Sequence, residues 1–170
     1  MKKILIVIAI LLFVAAAEAK RYRSLVELEP KASLYIGSVR FGIGCDVIFN
    51  PLKTVGFRFS GTELSFGDDQ TQFNMNFSFL NSSLDALIYF PMRGMQPYVH
   101  TGIGFLVLDT DPGDSNTFFT IRGGLGLNYP WSHGANLFVE PGVIITDPGD
   151  WGDTDVIFRL SVGARFGILK

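Results

Sequence analysis

Apolar and polar residues alternate with a period of two along most of the chain. From Val39 the odd positions are Val39, Phe41, Ile43, Cys45, Val47 and Phe49, and the even ones are Arg40, Gly42, Gly44, Asp46 and Ile48. A period of two is the repeat of an extended strand, whose successive side chains point to opposite faces. The alternation returns as Val55, Phe57 and Phe59 around Arg58, as Phe73, Met75, Phe77 and Phe79 around asparagines, and as Ala86, Ile88 and Phe90 after Asp85. It continues through Val99–Val107, Phe119–Tyr129, Leu137–Ile145 and Phe158–Ile168. The pattern predicts eight strands, near residues 38–49, 54–66, 71–80, 84–91, 97–108, 117–129, 135–146 and 155–168. Their connections are short and turn-like: NPLK, GDDQ, NSS, PMRGMQ, DTDPGDSN, PWSHG and TDPGDWGDT. Residues 38–170 read as one β domain, and residues 20–37, charged and weakly patterned, as an N-terminal extension.

The minority face decides which way the sheet turns. A soluble sandwich or lipocalin-like barrel buries its apolar face and offers water Lys, Glu, Thr and Gln. Here the minority face is Gly, Ser, Asn and Arg, with no lysine between residues 54 and 169. Small residues suit the narrow lumen of an eight-stranded barrel, which side chains must fill. Arg40, Arg58, Arg122, Arg159 and Arg165 fall on that face, as do Asp46, Asp85, Glu140 and His100. Charges taken out of water persist only when paired, so these nine residues are expected to form a lumen charge network. The fold class expected is all-β: an eight-stranded antiparallel up-and-down transmembrane β-barrel with its large apolar residues turned to lipid. Cys45 then faces lipid, where a thiol acts as a small hydrophobe. Pro141 falls mid-strand, where it removes a ladder donor and predicts a local distortion.

The N-terminus bears on the compartment. MKKILIVIAILLFVAAAEAK has two lysines, an apolar core from Ile4 to Ala17 and an Ala-Glu-Ala site before Lys20. Residues 1–19 are therefore expected to be a cleavable signal peptide, which with a barrel implies the bacterial outer membrane. The formal net charge is −2, or −3 once Lys2, Lys3 and Glu18 are removed, so nothing points to nucleic acid as a partner. A single cysteine excludes an internal disulfide. After the leader no apolar run approaches the roughly 18 residues of a spanning helix. Yet the chain holds 16 Phe and 19 Gly, a large apolar content that must be buried in alternation or shown to lipid.

Three stretches between residues 97 and 168 carry a family resemblance: PYVHTGIGF, FTIRGGLGLNYPW and FRLSVGARF. There the chain resembles the OmpA-like small outer-membrane β-barrels of the outer-membrane β-barrel domain family. The resemblance implies that fold, and as partners outer-membrane lipid, lipopolysaccharide and the barrel-assembly machinery. Two departures stand out. Family chains commonly end at a terminal aromatic, whereas Gly167-Ile168-Leu169-Lys170 follows Phe166 here; and Pro141 interrupts a strand.

TDPGD occurs twice, at residues 110–114 and 146–150. Pro presets φ and Gly accepts positive φ, so both copies read as turns. With both barrel ends of the chain in the periplasm, NPLK, NSS, DTDPGDSN and TDPGDWGDT are expected outside, and GDDQ, PMRGMQ and PWSHG inside. The outer rim would then gather Asp109, Asp111, Asp114, Asp147 and Asp150, with Asp153 and Asp155 beside them. Such hard oxygens would suit a divalent cation such as Ca²⁺, although no EF-hand spacing is present. No other cofactor is expected.

Catalytic signals are thin. Lipid A deacylases of eight-stranded barrel type carry a His-x-Ser-Asn pattern and a later Glu. His133, Asn136 and Glu140 fit superficially, but residue 135 is Ala, so the nucleophile is missing. Tyr129 and Trp131 suit a periplasmic aromatic girdle, whereas Tyr98 falls on the lumen parity. The reading is a non-enzymatic envelope protein with a structural or surface-interaction role, its lumen too narrow for a general pore. The alternatives are a soluble exported lipocalin-like barrel that binds an apolar ligand against Phe57, Phe77 and Phe105, and a lipid A-modifying barrel enzyme.

Overall fold

The computed structural model describes residues 24–36, 40–69, 72–78, 82–90, 92, 94–111, 114–132, 134–147 and 155–169. The leader at 1–19 lies outside the described residues, as do His133, Asp150, Trp151 and Asp153. Nine strands are present among the described residues: β1 Val26–Ile36, β2 Arg40–Phe49, β3 Val55–Asp69, β4 Gln72–Ser78, β5 Ser83–Tyr89, β6 Gln96–Asp111, β7 Asp114–Ser132, β8 Ala135–Asp147 and β9 Asp155–Leu169. All ladders are antiparallel, and β1 pairs with β9, so the sheet closes into a barrel. Val55–Ser60 of β3 pairs with β5, and Glu63–Asp69 of β3 pairs with β4. β4 and β5 are therefore two segments of one stave, and the barrel has eight.

Two expectations about the strands are corrected, and the corrections offset each other in the count. The stretch read as an N-terminal extension contains β1, paired with β2 from Val26↔Phe49 to Tyr35↔Arg40. Its alternation is present in VELEPKASLYI, but the inward positions are Glu27, Glu29, Lys31 and Ser33, which resemble a solvated surface. The two strands expected at 71–80 and 84–91 share a stave, because both pair with β3 rather than with each other. NSS is thus no hairpin turn; its Ser83 begins β5.

These shifts change which connections share an end. The chain enters β1 and leaves β9 at one end, where Val26 lies opposite Leu169. The β2–β3 connection (NPLK), the β5–β6 connection (PMRGMQ) and the β7–β8 connection (PWSHG) lie at this end. Asp69, at the end of β3, lies at the opposite end with Asp111 and Asp147, the strand ends that lead into the two TDPGD motifs. The ends expected for NPLK and GDDQ are therefore exchanged, while the strand ends leading into the two TDPGD motifs share one end as expected.

The wall is apolar outside and polar inside. Along β2, Phe41, Ile43, Val47 and Phe49 are exposed while Asp46 and Ile48 are fully buried. Phe57, Phe59, Ile103, Phe105, Ile121, Leu125, Phe158 and Val162 continue the exposed set around the barrel. Phe59 is 54% exposed and its neighbour Arg58 only 1%, the inverse of a water-soluble core. One bulge re-aims β3: Cys45 pairs with Thr62 but Asp46 with Ser60, leaving Gly61 as the extra residue. The slip lets both Arg58 and Glu63 reach the interior. Pro141 faces outward, and the β7–β8 ladder is absent between Gly124↔Gly142 and Leu127↔Val139, the distortion expected of a proline without an N–H.

Candidate functional site in the barrel interior

The interior is a cross-linked set of ions contributed by nearly every stave. Its hub is Arg58 of β3. Its Nε and Nη2 donate to Asp85 Oδ2 on β5 at 3.0 and 2.6 Å, across the register pair Arg58↔Asp85. Its Nη1 donates to Glu29 Oε1 on β1 at 3.1 Å and to Glu140 Oε2 on β8 at 2.7 Å. Nε also lies 3.8 Å from Asp46 Oδ2 on β2. Four carboxylates thus converge on one guanidinium, whose planar fork suits several acceptors at once.

Glu140 is the second junction. It accepts from Tyr98 Oη at 2.7 Å and, through Oε1, from Arg159 Nη2 at 2.9 Å. His100 Nδ1 lies 3.3 Å from Arg58 Nη2 and His100 Nε2 lies 3.3 Å from Glu140 Oε1. A guanidinium N–H can only donate, so the Nδ1 that faces it is the accepting nitrogen of a neutral ring. The imidazole fits because Gly124 has no side chain: a Cβ there would sit 2.6 Å from Nε2.

Arg165 closes the network toward the end that carries the termini. Its Nε donates to Glu29, its Nη2 to Tyr98 Oη at 2.9 Å and its Nη1 to Tyr89 Oη at 3.5 Å. The guanidinium also stacks over Tyr98 and Phe138, with 4.5 and 4.9 Å to the ring centroids. Toward the other end, Lys31 Nζ binds Asp46 Oδ2 at 2.6 Å and lies 3.7 Å from Glu63, which Tyr35 also reaches. Arg122 is held by hydroxyls instead, Ser83 Oγ at 3.1 Å and Thr120 Oγ1 at 3.5 Å.

Of the nine residues expected in the lumen, the structure brings Asp46, Arg58, Asp85, His100, Glu140, Arg159 and Arg165 into one bonded set. Arg122 is buried beside it, and the side chain of Arg40 lies outside the described residues. The residues missed from sequence are Glu29, Lys31 and Tyr35, all on β1, and Glu63 beyond the bulge. The first three were legible as the inward parity of VELEPKASLYI; Glu63 was hidden by the slip at Gly61. Counting these and the buried Glu27 of β1, five cations (Lys31, Arg58, Arg122, Arg159, Arg165) face six carboxylates (Glu27, Glu29, Asp46, Glu63, Asp85, Glu140) among the described residues, so the interior is close to neutral. Near-neutrality with direct bonding is what allows so many charges to be buried.

The acidic turns are less fully described. Asp109, Asp111, Asp114, Asp147 and Asp155 stand at strand ends opposite the termini, with their side chains outside the described residues. Among the described residues no three His, Cys, Asp or Glu side chains are grouped to hold a metal ion. Tyr129 and Trp131 are exposed at the terminal end of β7, alongside exposed Leu52, Met92 and Met95. Tyr98 is buried in the lumen.

No family model matches the chain, and no curated protein matches it. Solved structures do. The N-terminal β-barrel domain of Pseudomonas aeruginosa OprF superposes with a TM-score of 0.55 at 19% identity, covering 85% of this chain and 98% of that one. Neisserial surface protein A gives 0.60 at 13% identity, with 84% and 96% covered. A de novo designed transmembrane β-barrel gives 0.56 at 9% identity, with 88% and 100% covered. The designed barrel matches as well as the OprF domain at less than half its identity, so what is shared is architecture. The chain has the closed eight-stranded antiparallel fold of these small outer-membrane barrels.

Proposed function

We propose that the protein is an integral outer-membrane barrel, exported by the leader at residues 1–19 and spanning the bilayer with its eight staves. The carrying observation is the inverted facing: buried Arg58, Arg165 and Glu140 inside, exposed Phe57, Phe59, Ile103 and Phe105 outside. A wall of that kind is costly in water and stable in hydrocarbon. Lipopolysaccharide and the barrel-assembly machinery are the partners this placement entails. The role is that of a non-enzymatic envelope component, structural or acting through its rim turns; the central charges Arg58, Glu29, Asp85 and Glu140 bond one another.

The facing weighs against the apolar-ligand alternative, since Phe57 and Phe105 point away from the interior; the side chain of Phe77 lies outside the described residues. The acyl-modifying alternative is weakened at Glu140, which is engaged by Arg58, Arg159 and Tyr98. Fractionation of expressing cells tests the proposal. The protein should require detergent for extraction and migrate differently in gels before and after boiling. Recovery from the periplasm as a detergent-free monomer would overturn it.

A further inference from the structure

Arginine donors are not all used inside this barrel. Arg159 is 3% exposed, and its Nη2 donates to Glu140; Nε and Nη1 make no hydrogen bond among the described residues. Arg122, 5% exposed, contacts Ser83 and Thr120 and no carboxylate among the described residues. The register brings the two cations toward each other. Arg122 pairs with Ile144 on β8, and Arg159 pairs with Gly142 two residues along. Gly142 places no side chain between them, and His100 Nε2 comes within 3.4 Å of where its Cβ would be. On the other flank Arg159 pairs with Tyr35 of β1, one lumen step from the hydroxyl pair Ser33–Ser161 at 2.9 Å.

Among the described residues no carboxylate of this layer bonds Arg122. Glu63 is bound by Tyr35 and Lys31, Asp85 by Arg58 through Oδ2 while its Oδ1 makes no hydrogen bond there, and Glu140 is shared among Arg58, Arg159 and Tyr98. Two guanidinium groups with surplus donors, bordered by hydroxyls, match the recognition chemistry of a tetrahedral oxyanion. Buried donors of this strength are seldom left unsatisfied.

We infer that Arg122 and Arg159 form an anion-binding site within the lumen, for a small inorganic oxyanion of the phosphate class. The burial of Arg159 favours a free ion over a lipid headgroup, whose acyl chains the filled lumen would not admit. The site stands on lumen geometry alone and does not depend on where the barrel resides.

Calorimetric titration of the intact, refolded barrel with inorganic phosphate, against chloride at matched ionic strength, tests the site. Saturable one-to-one phosphate binding is expected, weakened at least tenfold in Arg122→Gln and largely retained in Arg122→Lys. Arg122→Gln breaks no ion pair among the described residues, and boiling-dependent gel mobility will report whether it folds. Should it not fold, Ser83→Ala, which frees the Arg122 side chain, is expected to weaken phosphate binding severalfold. No saturable binding by the unaltered protein, a response that chloride reproduces, or equal affinity in the folded variant would each overturn the inference.

Discussion

Glu29 and Glu140 each precede a proline, and both accept a hydrogen bond from the same nitrogen of Arg58, at 3.1 and 2.7 Å. They lie on β1 and β8, and each proline interrupts a ladder. The β1–β9 ladder is absent at Glu29 and Pro30, and the β7–β8 ladder at Glu140 and Pro141. The wall is weakest in backbone pairing where the interior is most strongly cross-linked, so the ion pairs compensate locally for missing ladder bonds.

Replacing that hub should be severe. Arg58→Met leaves Asp85 and Glu140 without their main cation and Glu29 with Arg165 alone, and breaking a buried pair on one side costs about 3–5 kcal/mol. Urea unfolding of the refolded barrel should show that loss. Adding Glu140→Gln to Arg58→Met should recover part of it, because one uncompensated charge is removed. Stability equal to the parent would show that Arg58 is not the hub.

A steric prediction concerns Gly126. A Cβ at this position would lie 1.9 Å from Tyr98 Cζ. Gly126→Ala must displace the ring and with it the bonds of Tyr98 to Glu140 and Arg165, at a cost of about 1–3 kcal/mol for overpacking. Gly123→Ala, where the nearest atom is a backbone oxygen at 3.7 Å, is the control and should be close to neutral. Thermal unfolding of the pair in one detergent separates the two effects.

The outward face gives a test that depends on solvent. Ile103 is exposed and pairs with Ile121 midway along the wall. In a bilayer, Ile103→Arg should cost about 2–4 kcal/mol if the site lies near the midplane. The measurement is reversible unfolding from lipid vesicles. A neutral or stabilising effect would mean that this face meets water.

Depth in the membrane can be read from Trp131. The chain has two tryptophans, so Trp151→Phe leaves Trp131 as the sole reporter. Lipids brominated close to the headgroup should quench its fluorescence more than lipids brominated near the chain ends, because an exposed aromatic at a strand end belongs at the interface. The reverse order would displace the terminal end of the barrel from the interface.

How far the sequence disclosed this architecture can be judged residue by residue. Asp46, Arg58, Asp85 and Glu140 stood out because each sits singly among alternating hydrophobes, and parity alone assigned them inward. β1 was obscured because Glu27, Glu29 and Lys31 occupy three successive inward positions, which made the strand look like a solvated segment. Glu63 was obscured because a bulge is a relation between strands: Gly61 is extra only by comparison with Cys45 and Asp46 on β2. Arg122 was expected to hold a carboxylate and holds hydroxyls instead, a distinction that requires distances. The shared stave of β4 and β5 likewise became visible only from what β3 pairs with.

The seam between β1 and β9 has a kinetic consequence. Glu29 and Arg165 are 136 positions apart in the chain, yet they bond to each other. That bond can form only after the last strand has come round to meet the first. Contacts between such distant segments are entropically slow to form. The salt links across this junction would then act as a latch, set late in assembly, and a nascent barrel lacking β9 would be an open, curved sheet with two unsatisfied margins.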